Sequence, residues 1–294
     1  MATATAKGTT ESLKEQNRWQ RSALRYLGKS RSAQVGLAIV ALAITLSLGA
    51  PIFAGTDPSA MEPTAILQPP SADHYFGTDN FGRDLWSRVL YGGRISILVG
   101  ISVAAATTLT GVLIGTVAGY FSRLDNVLMR AMDILMAFPP ILLAIGVMAI
   151  LGASLINIII ALVIPYTPRA ARIVRAEILH LREQDFIQAA RSLGMTDFRL
   201  ITRHLVPNSL TPLLIQQTFI VALAILAESG LNFLGIGVPP AVPTLGNILA
   251  DARQFLRTSP WMALFPGLFI SMLVLGVNLL GDGIRDVLDP RMRR

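Results

Sequence analysis

The 294-residue chain has no cysteine, which excludes disulfides and thiolate metal sites and leaves the redox compartment unmarked. It is also poor in charge. Only 15% of its residues are Asp, Glu, Lys or Arg, whereas soluble domains carry about a quarter. With 52% hydrophobic residues and a mean hydropathy of +0.56, most of the chain must meet lipid. There are three histidines, and no His/Asp/Glu cluster has metal-ligand spacing, which argues against a metal site or a protease. His74 stands near Asp73, Asp79 and Asp84 in a stretch that reads as an ordinary capped turn. Gly28-Lys29-Ser30 matches the end of a phosphate-binding loop, but Ala23 occupies the place of its first glycine and no strand precedes it. No cofactor is therefore expected on this chain. The net charge of +7 would raise nucleic acid as a partner in a soluble protein, but its distribution points to a membrane and away from nucleic acid.

What the chain does have is long uncharged runs: Ser32 to Thr56, Ile95 to Ser122, Ile134 to Pro168, Leu205 to Ala227, Ser229 to Ala250 and Thr258 to Gly281. A bilayer span needs about 20 residues. The 35-residue run from Ile134 is too long for one crossing and divides at Gly152-Ala153-Ser154. The run from Ser229 holds Gly230, Gly235, Gly237, Pro239, Pro240, Pro243 and Gly246, so it reads as a loop, partly re-entrant at most. Six spans remain, at 33–53, 95–121, 133–151, 155–174, 210–228 and 261–281. An even count puts both termini on one side. With the termini inside, 20 Lys and Arg are cytoplasmic and five (Arg83, Arg88, Arg94, Arg253, Arg257) are external, as the positive-inside rule requires.

The organisation expected is a cytoplasmic amphipathic segment at 1–32, helical from Glu11 to Ser30, and a first span at 33–54 retained as an anchor. An extracytoplasmic loop at 55–93 then precedes a five-helix core at 94–284 and a cytoplasmic tail at 285–294. Within the core, the charged stretch 169–208 must lie mostly outside the bilayer. It reads as two short helices. Phe186, Ala190 and Leu193 recur at i, i+4 and i+7, with Ile187 and Ala189 beside them. Gly194 suits a left-handed cap, Thr196 or Asp197 a second N-cap, and Pro207 a stop. Periodicity alone leaves two readings open: a docking surface for another protein, or a connector packed on its own bundle.

The spacing Gln188-Ala189-Ala190, Gly194, His204-Leu205-Val206-Pro207 resembles the EAA loop of bacterial ABC importer permeases, with Gln188, His204 and Val206 departing from the usual Glu, Ile and Leu. Further matches are Phe76-Gly77-Thr78-Asp79, Gly82-Arg83-Asp84, Tyr91-Gly92-Gly93-Arg94-Ile95-Ser96, Ala137-Phe138-Pro139-Pro140, Glu228 to Gly235, Trp261 to Gly267 and Asn278 to Gly283. In this order they are similar to the C-type subunit of the dipeptide, oligopeptide and nickel branch. The resemblance implies an all-α bundle of the type I importer kind with cytoplasmic coupling helices. It also implies a second permease of similar fold, two cytoplasmic ATPase subunits that bind the ATP and Mg²⁺, and an extracytoplasmic substrate-binding protein. The chain would import dipeptides or oligopeptides across a bacterial or archaeal cytoplasmic membrane and would not itself be an enzyme. The alternatives are the same machine carrying nickel or another small solute, and a secondary transporter without ATPases. Phe186, Ile187, Gln188, Ala189, Ala190, Leu193, Gly194, His204 and Pro207 are the expected coupling residues.

Gly111, Gly115 and Gly119 recur every four residues, so a neighbouring helix, in this chain or in a partner, can approach closely. Pro139-Pro140 and Pro165 should kink the third and fourth spans, and Pro212 should open the fifth. Polar groups at membrane depth are costly, so Asn157, Gln216, Gln217, Glu228 and Asn278 should face the bundle interior or a water-filled path. Asn157, Gln216, Gln217 and Glu228 are candidate pathway-lining residues. Interhelical hydrogen bonding is the other reading for the glutamines, and a structural role at the outer end of the fifth span the other for Glu228.

Overall fold

The computed structural model describes residues 31–288 and is helical nearly throughout. The long helices are α1 (Arg31–Leu48), α3 (Leu85–Tyr120), α6 (Leu155–Arg182), α9 (Val206–Phe233) and α11 (Trp261–Leu288). Between them lie α2 (Ala50–Phe53), α4 (Ser122–Met136), α5 (Pro140–Leu151), α7 (Asp185–Ser192), α8 (Asp197–Leu200) and α10 (Leu245–Ala252). Among the described residues five helices, α9 together with its leading turns being one of them, are long and apolar enough to cross a membrane. A sixth crossing exists only if α4 and α5 count as one span, and they meet at 92°. The expected amphipathic helix over Glu11 to Ser30 and the tail beyond 288 lie outside the described residues.

The third span, expected at 133–151 with a kink at Pro139-Pro140, is instead two helices meeting at an elbow. Two consecutive prolines force it: Phe138 precedes Pro139, whose ring disfavours helical backbone behind it, and Pro139 is itself extended at ψ 131° before Pro140 opens α5. The 12 residues of α5 span only about 18 Å, well short of a ~30 Å hydrocarbon core. Gly152 at φ +80° ends α5 and Ser154 caps α6, so the division expected there is the one observed.

Small residues set the packing. With no hydrophobic drive between helices in lipid, contact depends on how closely backbones approach. α3 lies along α6 of the same chain through its glycine ladder: a Cβ on Gly111 would come 2.5 Å from Ala170 Cβ, on Gly115 2.5 Å from the Ala171 carbonyl oxygen, and on Gly119 2.8 Å from Ile178 Cβ. α1 meets α11 in the same way, Gly36 against Leu280 and Gly283 against Ala33.

Several helix ends differ from expectation. α3 starts at Leu85, so 85–93 belongs to a helix and the external loop is correspondingly shorter. α6 runs unbroken to Arg182, which makes the first part of 169–208 a continuation of a span. Pro207 stops nothing: a π-turn (Ile201–Leu205) leads from α8 into α9, and Pro207 follows it directly, so the irregular turn lets the helix continue past the proline. Pro212 lies inside α9, beyond its opening. α9 continues to Phe233, and α10 occupies part of the expected 229–250 loop.

The segment between α2 and α3, expected to be external, is an ordered cap. Phe76 stacks on Phe265 of α11 with ring centroids 3.9 Å apart and meets Trp86 edge-on at 4.8 Å. Gly82, at φ +74°, lies so close to Glu62 that a Cβ would come 1.9 Å from its carbonyl oxygen, which accounts for glycine in the Gly82-Arg83-Asp84 motif. Asp84 caps α3 by accepting the Ser87 N–H at 2.8 Å, and His74 Nδ1 lies 3.0 Å from its other oxygen.

Candidate functional site

Between α6 and α9, α7 and α8 form a hairpin around Gly194. Gly194 takes the left-handed conformation, φ +82°, and the bonds Gly194 N–H to Arg191 carbonyl (2.9 Å) and Met195 N–H to Ala190 carbonyl (3.2 Å) close α7. The hairpin has two faces. Ile187 is buried against Val174, Ile178, Leu200, Leu205, Leu213 and Tyr120, and the half-buried Ala190 packs on the same cluster. Phe186, Ala189 and Leu193 point outward, with Leu193 89% exposed; Phe198 on α8 is 78% exposed. The outward stripe is thus 186–189–193, and Ile187 and Ala190, expected to present themselves to a partner, instead fasten the helix inward. The reason is the burial of α6 and α9 side chains beneath them, which spacing within α7 does not reveal.

The remaining coupling candidates fill distinct places. Gln188 donates its side-chain amide to the Arg182 carbonyl at 2.8 Å, tying α7 to the C-terminus of α6. The His204 ring lies 6.4 Å from the Phe186 ring, and its carbonyl accepts from the Asn208 amide at 2.6 Å. Pro207 is exposed beside it. The hairpin also hangs from Tyr120, the last residue of α3: its hydroxyl donates to the Asp197 carboxylate and accepts from Arg191 Nη2 at 3.2 Å. No sequence pattern could join Tyr120 to groups 71 and 77 positions away. An aromatic ending a span beside basic residues was the only hint.

The membrane-depth candidates do not converge on one path. Gln217 accepts the Thr107 hydroxyl at 3.0 Å between α9 and α3, while its amide nitrogen is buried without a partner; Gln216 beside it is half-buried. Glu228 is wholly buried, accepting from Ser96 of α3 (2.7 Å), Asn232 (2.5 Å) and Ser229 (3.3 Å). It lies inside α9 instead of at its end, because the helix continues to Phe233. Asn157 gives its amide to the Leu151 and Gly152 carbonyls at 2.8 and 3.0 Å, holding the α5–α6 turn. Glu228 and Asn157 are each engaged in hydrogen bonds within the chain. Their neighbours are distant in sequence or set by helix ends, so composition could only place them away from lipid.

The profile of the binding-protein-dependent transport system inner membrane component matches residues 111–294, and that of the N-terminal TM domain of oligopeptide transport permease C matches 17–70. The chain belongs to this family of transport permeases. Among relatives, the dipeptide transport system permease protein DppC of Alkalihalophilus pseudofirmus is 44% identical over 93% of this chain and 90% of its own length. The oligopeptide transport system permease protein OppC of Bacillus subtilis is 39% identical over 94% and 90%. In fold, the permease is similar to a chain of the MetNI methionine ABC transporter in an inward-facing conformation, with TM-score 0.53 and 19% identity over 69% of this chain and 94% of that one. As a permease it is a multi-pass membrane transport component of the ABC importer fold.

Proposed function

We propose that this permease carries dipeptides or oligopeptides inward as one half of a two-permease pathway, driven by two ATPase subunits that bind at the α7–α8 hairpin and supplied by an extracytoplasmic binding protein. The observation that carries the reading is the two-faced hairpin, buried by Ile187 and presenting Phe186, Leu193 and Phe198 outward. Exposed apolar side chains grouped on a polar surface are the signature of a protein contact. Peptide as cargo is supported by the relatives named for dipeptide and oligopeptide transport. Both termini lie in the cytoplasm of a bacterial or archaeal cell, ATP and Mg²⁺ are held by the ATPases, and this chain catalyses no bond chemistry. Closure of the ATPase dimer pushes the hairpin and turns the bundle outward-facing; hydrolysis lets it return and release cargo inside.

The test is expression with the neighbouring permease and ATPase subunits, followed by reconstitution in liposomes with the binding protein. Leu193→Asp and Phe198→Asp, both at exposed positions, should leave thermal stability within about 0.5 kcal/mol of wild type. Each should lower ATPase copurification and uptake of a labelled dipeptide by about tenfold, the equivalent of ~1.4 kcal/mol at the contact. Wild-type uptake in both variants would refute the docking surface. Uptake of Ni²⁺ but not of peptide would refute the cargo alone.

A further inference from the structure

We propose that Tyr120 is a positioning residue for energy coupling: it delivers movement of the cytoplasmic hairpin to α3. This rests on the reading that the hairpin receives the ATPases. The hairpin has a direct output into α9, since α8 passes through the π-turn into that helix without a break. It has no such continuity with α3. Apart from apolar packing, its link to α3 is the Tyr120 phenol, buried to 8% exposure at the end of the helix, where Phe121 turns the chain away at φ −103°, ψ 96°.

Both arms of the hairpin hold that phenol. Asp197 in the first turn of α8 accepts its proton, and Arg191 in the last turn of α7 donates to its oxygen at 3.2 Å. The Arg191 and Arg182 guanidinium carbons lie 6.0 and 5.6 Å from the ring centroid. Arg182 also donates to the Gly119 and Tyr120 carbonyls at 2.9 and 3.0 Å, so the C-terminus of α6 closes the C-terminus of α3. A charge-assisted bond on each side of one hydroxyl fixes its position more firmly than apolar contact, which is non-directional. Beyond Tyr120, the glycine ladder joins α3 to α6, Thr107 bonds Gln217, and Ser96 bonds Glu228 in α9. A displacement that enters at Tyr120 therefore moves α3 and α6 together, in step with the displacement that α9 takes directly. Without the phenol oxygen, α3 would follow the hairpin only through apolar packing and its contacts with α6.

Tyr120→Phe removes both hydrogen bonds and keeps the ring. In the reconstituted complex it should assemble with wild-type ATPase stoichiometry and hydrolyse ATP, while peptide taken up per ATP falls about fivefold or more, the lower end of ordinary coupling constants. Asp197→Asn should produce a smaller loss, and the Tyr120→Phe/Asp197→Asn pair no more than Tyr120→Phe alone, because both act through one bond. An unchanged ratio of uptake to hydrolysis in Tyr120→Phe would overturn the assignment. So would a fall in uptake that merely matches a fall in bound ATPase, which marks a role in holding the hairpin's shape. Failure of the wild-type chain to hold ATPases would overturn the docking reading and the assignment with it.

Discussion

The two ends of the bundle are built on opposite rules. At the end that carries the cap before α3, charge is buried and paired: Arg83 Nε bonds Asp79 at 2.6 Å, Arg88 Nε lies 3.5 Å from the same carboxylate oxygen, and Arg83 reaches Asp251 on α10 at 3.3 Å. Asp79 and Arg88 are each 1% exposed, and burial pushes the Asp251 carboxyl up from the usual range. At the hairpin end the ion pairs of α6 with α4 (Arg172 with Asp133, Arg175 with Asp125) are more open to solvent than the Asp79 pairs, and the hairpin turns apolar side chains outward. The cap pairs its charge within the chain, although Arg88 Nε and Nη2 and Asn80 Oδ1 are buried there with no hydrogen-bond partner. The hairpin leaves one face for something else.

The sharpest way to break that contrast is to remove one carboxylate at each end. Asp79→Ala strands two buried guanidinium groups and two N–H donors, those of Phe81 and Arg83, and should destabilise the permease by about 3–5 kcal/mol. Asp133→Ala removes one partner of a half-exposed pair and should cost about 0–1 kcal/mol. Thermal unfolding of the two variants in the same detergent checks both. Equal shifts would mean that the ends are fastened alike.

Gly115→Ala tests the connection between the ends. The added methyl would sit 2.5 Å from the Ala171 carbonyl oxygen, a backbone atom that cannot swing aside, so α3 and α6 must separate at about 1–3 kcal/mol. If these helices carry displacement as a pair, the same variant should lower uptake per ATP hydrolysed. A change in melting temperature with an unchanged uptake ratio would separate packing from transmission.

Much of this architecture was legible in the sequence, for reasons of scale. Lipid imposes a run length, so the five long helices announce themselves, and Gly152 and Gly194 mark turns that only a left-handed residue makes easily. Pro139-Pro140 announced a bend but not its 92° angle, since the angle depends on where α4 comes to rest. Pro207 was misleading because proline both ends helices and begins them, and a π-turn before it settles which. The coupling loop was legible as a loop, yet its inward and outward faces were not, because Ile187 is buried by residues of α6 and α9. Tyr120, Arg191 and Asp197 meet only in three dimensions.

Gln188→Ala makes the finest distinction between the two ends. Where the resembling loops have a carboxylate, this chain has an amide that donates to the Arg182 carbonyl, one of the orphan acceptors at the end of α6. The bond is exposed, so its loss should cost only about 0.5–1.5 kcal/mol, at the small end of what hydrogen bonds contribute. Hydrogen exchange should localise the effect: faster exchange at 185–194 with unchanged protection in the external cap. Were the cap to loosen too, the two ends would be one cooperative unit, and the hairpin would not be a part hung from Ile187, Gln188 and Tyr120 and free to be pushed.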